Sequence, residues 1–478
     1  MLAFKEYSTM KKTQHIILAL VSILALVGCE KYVDIKTQGQ LTPGSIENFR
    51  YLLNSTTNWE AAPALPDIAS DDLEIVDGSA QQQALASNDY QGYYARAYQW
   101  SAVIYPMDNQ YYKDDNWARI YNTVVYANTV IGETPNAKDG TAAEKEALIA
   151  EAKVHRASAY LMLVNTYAKP YKAETASTDL GVPLVLQQTT EQSLARASVQ
   201  QVYDAIIEDL LTAIPALPTE QQFRTLPTKA SAYGILARTY LYMNRYAEAK
   251  EAADQALATH NELIDLTAIP ELNVDAYPRR FINPEILLTK VPVNGVTAYS
   301  PTAFRLSDDL LSLFDEHDQR YNLFTVPGST ISSWEVYEGR YYYLDNVLNE
   351  GRNVGPTVPE MLLIKAEAEA RSNQAAAAMS LVNQLRAKRI LIDGQVELQA
   401  ANAEEALIQV IAERRREFMF RMLRWWDMRR LKDEALFTKT YTRTFGGQSF
   451  TLSPSSNRYV FPIAEYEIDL SPGLQPNP

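Results

Sequence analysis

Residues 236–257, LARTYLYMNRYAEAKEAADQAL, carry the clearest repeat signal in this chain. They belong to a helical stretch over 229–257 that reads as two helices separated at Asn244-Arg245. Small and aromatic residues fall there at the spacing of a tetratricopeptide repeat, a helix pair of about 34 residues. The alanines let two paired helices approach closely and the tyrosines fill the gaps, so we predict a helical hairpin. The positions concerned are Leu236, Ala237, Tyr240, Tyr246, Ala249 and Ala256.

One helix pair cannot bury its own apolar face, so several pairs should stack. Apolar residues recur at helical spacing in six further segments, 45–54, 116–131, 142–167, 199–217, 359–389 (with a break near Asn373) and 404–431. Residues 55–110, residues 262–358 and the turn-rich tail after 441 lack this spacing. We therefore predict a mostly α fold, in which a tetratricopeptide-like helical-repeat scaffold carries long irregular insertions.

The only cysteine, Cys29, ends a short apolar run in the stretch LALVGCE, 24–30. The run over 16–27 is shorter than the roughly 20 residues that span a bilayer, but it suits a signal peptide. Its last residues, LVGC, resemble the bacterial lipobox, in which the signal is cut before the cysteine and the cysteine is acylated. We predict a signal peptide over 1–28, lipid attachment at Cys29 and a tether over 29–43.

Composition limits the partners of the remaining chain. The 478 residues are 47% apolar, which is enough for a large core, and they carry a net charge of −14. No other apolar stretch approaches transmembrane length. An acidic body is a poor partner for nucleic acid, whose backbone is itself anionic. We expect a body that reaches the membrane through its lipid anchor and does not bind nucleic acid.

The residue pattern offers no catalytic constellation. The four histidines lie far apart in sequence, and no zinc-protease, nucleophile-elbow or phosphate-loop motif occurs. Neighbouring acids in a strand or helix do not face each other as a glycosidase pair must, so we interpret Asp71-Asp72 and Asp114-Asp115 as solvated loop acids. We predict no catalytic residue, no metal site and no cofactor.

One basic cluster lies within 413–430. We interpret it as a structural helix, because Glu413 can reach Arg416, Glu417 can reach Arg421, and Asp427 can reach two further arginines at helical spacing. We expect Trp425 and Trp426 to be buried packing residues. The arginines of this cluster are Arg414, Arg415, Arg416, Arg421, Arg424, Arg429 and Arg430.

Aromatic residues in the irregular segments are the candidates for ligand contact. A Trp or Tyr ring covers the apolar face of a sugar, and polar neighbours bond its hydroxyls. Two segments combine both kinds of residue, DYQGYYARAYQW (89–100) and WEVYEGRYYYLDN (334–346). The candidate contacts are Tyr90, Tyr93, Tyr94, Arg96, Tyr98 and Trp100 in the first segment, and Trp334, Tyr337, Arg340 and Tyr341 in the second.

Several stretches, in this order along the chain, together resemble the SusD/RagB family of Bacteroidetes outer-membrane lipoproteins. They are SDDLEIV (70–76), AEAKVHRASAYLMLVNTYAKPY (150–171), DLGVPLVL (179–186), the repeat at 236–257, KAEAEA (365–370) with LVNQLRAKR (381–389), ERRREFMFRMLRWWDMRR (413–430) and YVFPIAEYEIDLSPGLQPNP (459–478). The chain departs from the family pattern at Arg421-Met422, where Glu-Gly is usual, and at Ser471 and Pro476 in the tail. We interpret these departures as structural.

The resemblance implies a function. Family members cover a TonB-dependent outer-membrane channel of the SusC type, capture a glycan or in some cases a peptide at the cell surface, and pass it to the channel. It implies a non-catalytic, lipid-anchored protein facing the cell exterior. The chain would then comprise a SusD-like N-terminal region over 44–225, a central helical repeat over 226–260 and a SusD/RagB-like C-terminal region over 261–478.

Three alternatives stay open at this level. In the first, the chain is a family member whose ligand is a peptide instead of a glycan. In the second, the repeats form a scaffold that binds only protein. In the third, the chain is an enzyme such as a glycosidase. An open groove beside the aromatic segments favours a small ligand, whereas aromatic segments buried against the repeats favour the scaffold.

We expect Cys29→Ala to abolish the incorporation of labelled fatty acid and to release the protein from the membrane fraction, because the thiol is the acyl acceptor. Metabolic labelling followed by cell fractionation measures both effects, with the unchanged chain as control. Label retained in the variant would show the lipobox interpretation to be wrong.

Overall fold

The computed structural model describes residues 44–88, 90–109, 111–188, 194–271, 273, 275–292, 304–331, 337–471 and 473–477. The expected signal peptide and tether, Cys29 and Trp334 lie outside the described residues. Of the helices within these ranges, none combines the length and apolar character needed to cross a membrane.

Helices dominate the regular structure. In chain order they are α1 (Ile46–Leu53), α2 (Thr56–Trp59), α3 (Leu65–Ala69), α4 (Ala80–Ala86), α5 (Gly92–Tyr98), α6 (Asp115–Glu133), α7 (Ala142–Tyr167), α8 (Val199–Ala213), α9 (Lys229–Tyr242), α10 (Tyr246–Thr259), α11 (Asp308–Leu311), α12 (Gln319–Phe324), α13 (Gly328–Ile331), α14 (Leu344–Leu348), α15 (Val358–Arg371), α16 (Ala375–Arg386), α17 (Ala403–Glu417), α18 (Leu423–Leu431) and α19 (Glu465–Leu470). Single turns of 3-10 helix occupy Thr134–Asn136, Ile214–Ala216, Leu266–Ala268, Arg280–Ile282, Ile392–Gly394 and Asn457–Tyr459.

The strands are short and pair two by two. In chain order they are β1 (Ala61–Ala62), β2 (Leu73–Glu74), β3 (Leu180–Pro183), β4 (Arg196–Ser198), β5 (Val291–Pro292), β6 (Arg305–Leu306), β7 (Thr325–Pro327), β8 (Arg340–Tyr342), β9 (Tyr441–Phe445) and β10 (Gln448–Leu452). The pair β1–β5 is parallel, whereas β2–β6, β3–β4, β7–β8 and β9–β10 are antiparallel. Each pair joins a strand to a partner without building a larger sheet.

The long helices form a continuous stack. Helix α7 packs between α6 and α8, α8 packs on α9, α9 on α10, α10 on α15, and α15 on both α16 and α17. The alanines of the repeat, Ala237, Ala249 and Ala256, are fully buried, as close approach of the paired helices requires. The prediction of a mostly α fold on a tetratricopeptide-like scaffold is confirmed.

Local sequence sets the ends of these helices. Thr141 and Glu144 form a capping box at the start of α7, and Ser198 with Gln201 forms another at the start of α8. The hairpins α9–α10 and α15–α16 each turn at an asparagine in the left-handed conformation, Asn244 (φ 59°) and Asn373. Asparagine tolerates this conformation better than most residues other than glycine.

The predicted continuous helix over 404–431 is wrong, because the structure divides it into α17 and α18. Phe420 (φ 61°) and Met422 (φ 57°) both take left-handed backbone conformations between the two helices. The backbone N–H of Met422 donates to Oδ1 of buried Asp67 at 2.7 Å. Residues 55–110 were expected to be irregular, but they contain four short helices, α2 to α5.

The basic cluster is structural, but most of its partners come from distant segments. Asp427 binds Arg430 as expected, whereas Arg424 binds Asp71 and Glu417 binds Arg389 and Arg320. Further ion pairs join Arg414 to Asp427, Arg415 to Asp72 and Asp309, Arg416 to Glu413, and Arg430 to Glu367. Arg429 instead donates to the backbone carbonyls of Asn165 and Ala168. Trp425 and Trp426 are buried, as predicted.

The interpretation of Asp71, Asp72 and Asp114 as solvated loop acids is therefore wrong. Asp72 and Asp114 are 2% and 1% exposed. Burial acts to raise the pKa of Asp71, but Arg424 and Arg415 outweigh it and hold that pKa well below its usual range. Asp114 accepts the hydroxyl of Tyr167 at 2.7 Å and caps α6. The partners of these acids lie far away in the sequence, so the residues next to each acid give no sign of the contact.

We expect Asn244→Val to destabilise the fold by about 1–2 kcal/mol, because a β-branched residue is strained in the left-handed conformation. Asn244 is exposed, so the loss should come from the backbone and not from packing. Chemical unfolding measures the free energy, and Asn244→Gly is the matched control that should keep or slightly raise it. Equal stability of the valine and glycine variants would contradict the assignment.

Glu367 supports a pH-dependent prediction. Its carboxylate accepts both guanidinium N–H groups of Arg430 at 2.6 and 2.7 Å and the Nε of Arg371 at 2.9 Å. Burial raises its pKa, but Arg430 and Arg371 outweigh burial and lower the pKa from 4.5 to about 2. Because the folded pKa is depressed, the pairing stabilises the fold above about pH 4.5, and this contribution is lost as the pH falls towards 2.

We expect Glu367→Gln to lower the free energy of unfolding by about 3–5 kcal/mol at pH 7, since it leaves buried arginines without their carboxylate. The difference from the unchanged chain should shrink between pH 4.5 and 2. The control is Glu434→Gln, a more exposed partner of Arg371, with an expected loss below about 1 kcal/mol. A difference that stays constant over this pH range would contradict the pairing.

Candidate functional site

The first aromatic segment is largely folded into the core. Helix α5 buries Tyr94 and Tyr98, and Trp100 follows it in a left-handed conformation (φ 53°) with 6% of its surface exposed. The indole N–H of Trp100 donates to the carbonyl of Ala69 at 2.9 Å. The guanidinium of Arg443 lies 4.2 Å from the ring centre of Tyr98 and 4.4 Å from that of Trp100. Such buried cation–π contacts hold the two rings in place.

An open groove with two exposed aromatic rings lies beside this core. Tyr90 and Tyr111 are 63% and 48% exposed, and their ring centres lie 4.5 Å apart. The groove, which we call the aromatic groove, encloses about 570 Å³ and is lined by Arg96, Pro106, Met107, Asp108, Asn109, Tyr111 and Tyr112, with Tyr90 packed on its rim against Tyr111. This size is typical of small-ligand sites, and carboxylate, amide and guanidinium groups stand next to the rings.

Short-range hydrogen bonds build the walls of the aromatic groove. The side-chain oxygen of Asn88 accepts the backbone N–H groups of Tyr90 and Gln91, and its carbonyl accepts the hydroxyl of Tyr112 at 3.2 Å. A side chain at Gly92 would collide with that hydroxyl, since a Cβ there would lie 1.9 Å from it. Asn109 similarly accepts the backbone N–H of Tyr111 at 2.9 Å. The exposed rings therefore stand on ordered turns.

Tyr93 links the groove wall to the core. Its ring centre lies 4.2 Å from that of Tyr94, 5.4 Å from Tyr105 and 5.7 Å from Tyr112. Burial is the main cause that raises the pKa of its hydroxyl far above the ordinary value, so the phenol stays protonated. Arg96, the polar candidate of this segment, is half-buried and lines the groove directly.

The second aromatic segment borders a different groove. Two adjoining hollows of about 510 and 590 Å³ share Glu74, Val76, Asp77 and Arg305. We call them together the acidic groove, because Glu338, Asp308 and Asp309 also line them.

The sequence candidates differ in their position at the acidic groove. Tyr341 lines the first hollow, and Tyr98 and Trp100 line the second, although all three are largely buried. The ring of half-buried Tyr337 lies 6.0 Å from that of Tyr341. Arg340 donates to Thr325 at 2.8 and 2.9 Å and covers the ring of Tyr321.

Of the sequence candidates, Arg96 lines the aromatic groove with Tyr90 on its rim, and Tyr98, Trp100 and Tyr341 line the acidic groove. The other described candidates, Tyr93, Tyr94, Tyr337 and Arg340, line neither groove. The structure also adds Met107, Asp108, Asn109, Tyr111 and Tyr112, which the sequence alone does not single out. The signal was available in the stretch YPMDNQYY (105–112), which combines a proline, two turn-forming polar residues and a tyrosine pair. Among the residues that the structure describes, no group of histidine, cysteine and acidic side chains is placed to hold a metal ion.

Comparison with known proteins identifies the family to which this chain belongs. Residues 31–241 match a SusD-like family model that is described as starch-binding and associating with the outer membrane, and residues 358–478 match the SusD family model. The chain is 25% identical to SusD-like protein P2 of Formosa agariphila, over 76% of this chain and 81% of that protein.

Solved structures share the fold. A SusD superfamily protein of Bacteroides thetaiotaomicron is similar with a TM-score of 0.72 and 18% identity, over 91% of this chain and all of that one. Surface glycan-binding protein A of Bacteroides uniformis is similar with a TM-score of 0.69 and 18% identity, over 90% of this chain and 98% of that one. With two family models that cover about two thirds of its length between them, the chain belongs to the SusD/RagB family.

Proposed function

We propose that this protein is a non-catalytic outer-membrane lipoprotein that binds a glycan in the aromatic groove and delivers it to a TonB-dependent channel of the SusC type. The observation that carries the proposal is the exposed pair Tyr90–Tyr111 at the edge of a 570 Å³ groove. Large exposed rings are unfavourable in water, and sugar C–H faces cover them well. The family description and the glycan-binding name of a structural relative support the same class of ligand.

Within this proposal, the candidate residues take two roles. Tyr90, Tyr111 and Arg96 contact the ligand, with Asp108 and Asn109 as partners for its hydroxyl groups. Tyr93, Tyr94, Tyr98 and Trp100 support the surface from below, since they are wholly or partly buried. Tyr337 and Tyr341 remain candidates for a longer ligand that extends into the acidic groove, whereas Arg340 is engaged by Thr325. Trp334 remains a candidate from the sequence and lies outside the described residues.

Delivery to the channel and the orientation towards the cell exterior rest on family membership, and anchoring through Cys29 rests on the lipobox-like sequence LVGC. A glycan is preferred to a peptide because the aromatic groove combines paired rings with neutral and charged hydrogen-bonding groups. Binding without turnover is likewise part of the proposal and rests on family membership.

We expect Tyr90→Ala and Tyr111→Ala each to weaken glycan binding about tenfold, equivalent to about 1.4 kcal/mol, because each removes a stacking face. Calorimetric titration of the chain from residue 44 onward measures this, with starch, other neutral polysaccharides, their oligosaccharides and a peptide mixture as probes.

The matched control is Tyr51→Ala. Tyr51 is 64% exposed and its hydroxyl binds Glu47, so it resembles the groove tyrosines without lining either groove. This variant should bind like the unchanged chain. Binding of peptides alone, release of reducing ends from any glycan, or equal affinities of the three variants would each contradict a part of the proposal.

A further inference from the structure

A small pocket on the C-terminal side of the molecule has an unusual charge arrangement. It has a volume of about 40 Å³, and we call it the arginine pocket. The residues that matter for its chemistry are Tyr277, Arg280, Tyr342, Asp345, Arg352 and Arg421. None of these residues lines the aromatic groove or the acidic groove.

The acids around the arginine pocket already have cationic partners. Asp345 binds Arg352 at 2.9 Å, and Glu285, which also lines the pocket, binds Arg389 at 2.7 Å. The third lining acid, Glu350, binds Arg279 at 2.6 Å. These carboxylates are therefore ion-paired directly to other arginines. They act on Arg421 only through space: burial lowers the pKa of its guanidinium, but Tyr342, Tyr277, Glu417 and Glu285 outweigh burial and raise it.

Arg421 differs in this respect from the other arginines of its segment. Its side chain is half-buried in the pocket wall, yet no carboxylate of the described residues lies within ion-pair distance of it. Its neighbour Arg280 binds Glu60 through Nη1, while its buried Nε has no hydrogen-bond partner among the described residues. The buried N–H group of Arg280 lacks an acceptor, and Arg421 presents a guanidinium that no carboxylate of the described residues binds directly, so both can donate to a ligand in the pocket.

The size of the pocket selects the acceptor. A volume of 10–15 Å³ on this measure holds one water, so 40 Å³ holds about three oxygen-sized groups. A carboxylate has this size, a sulfate or phosphate group can place part of its oxygens there, and guanidinium N–H donors match the geometry of such oxyanions. We propose that the arginine pocket binds an oxyanion, with Arg421 as its charge partner and Nε of Arg280 as a second donor.

The oxyanion comes either from solution as a free anion or from the acidic substituent of a larger molecule. Both sources present the same chemistry to Arg421. The proposal is independent of glycan binding in the aromatic groove, because the two sites share no residue.

The test compares sodium sulfate with sodium chloride at equal ionic strength, using the melting temperature of the chain from residue 44 onward. We expect sulfate to raise the melting temperature of the unchanged chain and of Arg119→Gln, an exposed arginine outside the pocket, but not that of Arg421→Gln. An equal rise in all three proteins would overturn the proposal, because it would show a general salt effect.

Calorimetric titration then identifies the source of the anion. We expect at least a tenfold loss of affinity in Arg421→Gln for either sulfate or glucose 6-sulfate, with glucose as the uncharged control. A higher affinity for glucose 6-sulfate than for sulfate assigns the pocket to an acidic substituent, and the reverse assigns it to a free anion.

A crystal soaked with selenate provides a readout that does not depend on stability. We expect anomalous density beside Arg421. Density only at other arginines would overturn the proposal, whatever the melting temperatures. The Tyr90→Ala variant should keep sulfate binding unchanged, so failure of the glycan proposal and failure of this one remain distinguishable.

Discussion

Pairing between buried guanidinium and carboxylate groups is the constraint on which this fold depends. The charged helices α17 and α18 carry arginines into the interior, and each needs a carboxylate or carbonyl acceptor there. Asp71 and Asp72 supply acceptors from the N-terminal region, and Glu367 supplies one from α15. Because a buried charge without a partner is strongly destabilising, the two ends of the described chain can fold only around each other.

This pairing positions the candidate ligand surface. The Asp71–Asp72 segment leads directly into the wall of the acidic groove. Arg443, from strand β9, donates to carbonyls of Ile68 and Tyr98 and covers the rings of Tyr98 and Trp100. The surface that carries the grooves is thus fixed from below by C-terminal residues. At the aromatic groove, exposed Tyr90 and Tyr111 take no part in these ion pairs, whereas Asp71 and Asp309 of the acidic groove do.

The amino-acid sequence predicted the structure correctly where contacts between neighbouring residues decide it. The 3.6-residue spacing of apolar side chains, with Asn244 and Asn373 at the turns, is a property of neighbouring residues, and the structure has both hairpins there. The sequence-based prediction was wrong where a partner that is distant in sequence determines the structure. The partner of Arg424 lies more than 350 residues away, and the break at 420–422 depends on Asp67, so helical spacing alone indicated a continuous helix.

The aromatic segments show the same division. Aromatic composition correctly directs attention to 89–100, but composition cannot tell a buried ring from an exposed one. Burial of Tyr94 and Tyr98 follows from the formation of α5 and its packing on the core, both tertiary effects. Tyr111 stands outside the quoted segment and becomes visible only because its ring meets Tyr90 in space.

The arginine at position 421, where the family pattern has a glutamate, is explained better by the charges around it than by packing. The SusD/RagB family usually has a glutamate at this position, so the chain replaces a negative by a positive charge next to Glu417 and Glu285. Those two acids are already held by Arg389, and Arg320 adds a further cation to Glu417. A glutamate here would add a further acid beside Glu285 and Glu417, whereas Arg421 adds a cation, and Tyr342, Tyr277 and these two acids raise the pKa of its guanidinium against the effect of burial. The proposed oxyanion would give this guanidinium the direct acceptor that no carboxylate of the described residues supplies, in the place where the family pattern has a carboxylate of its own.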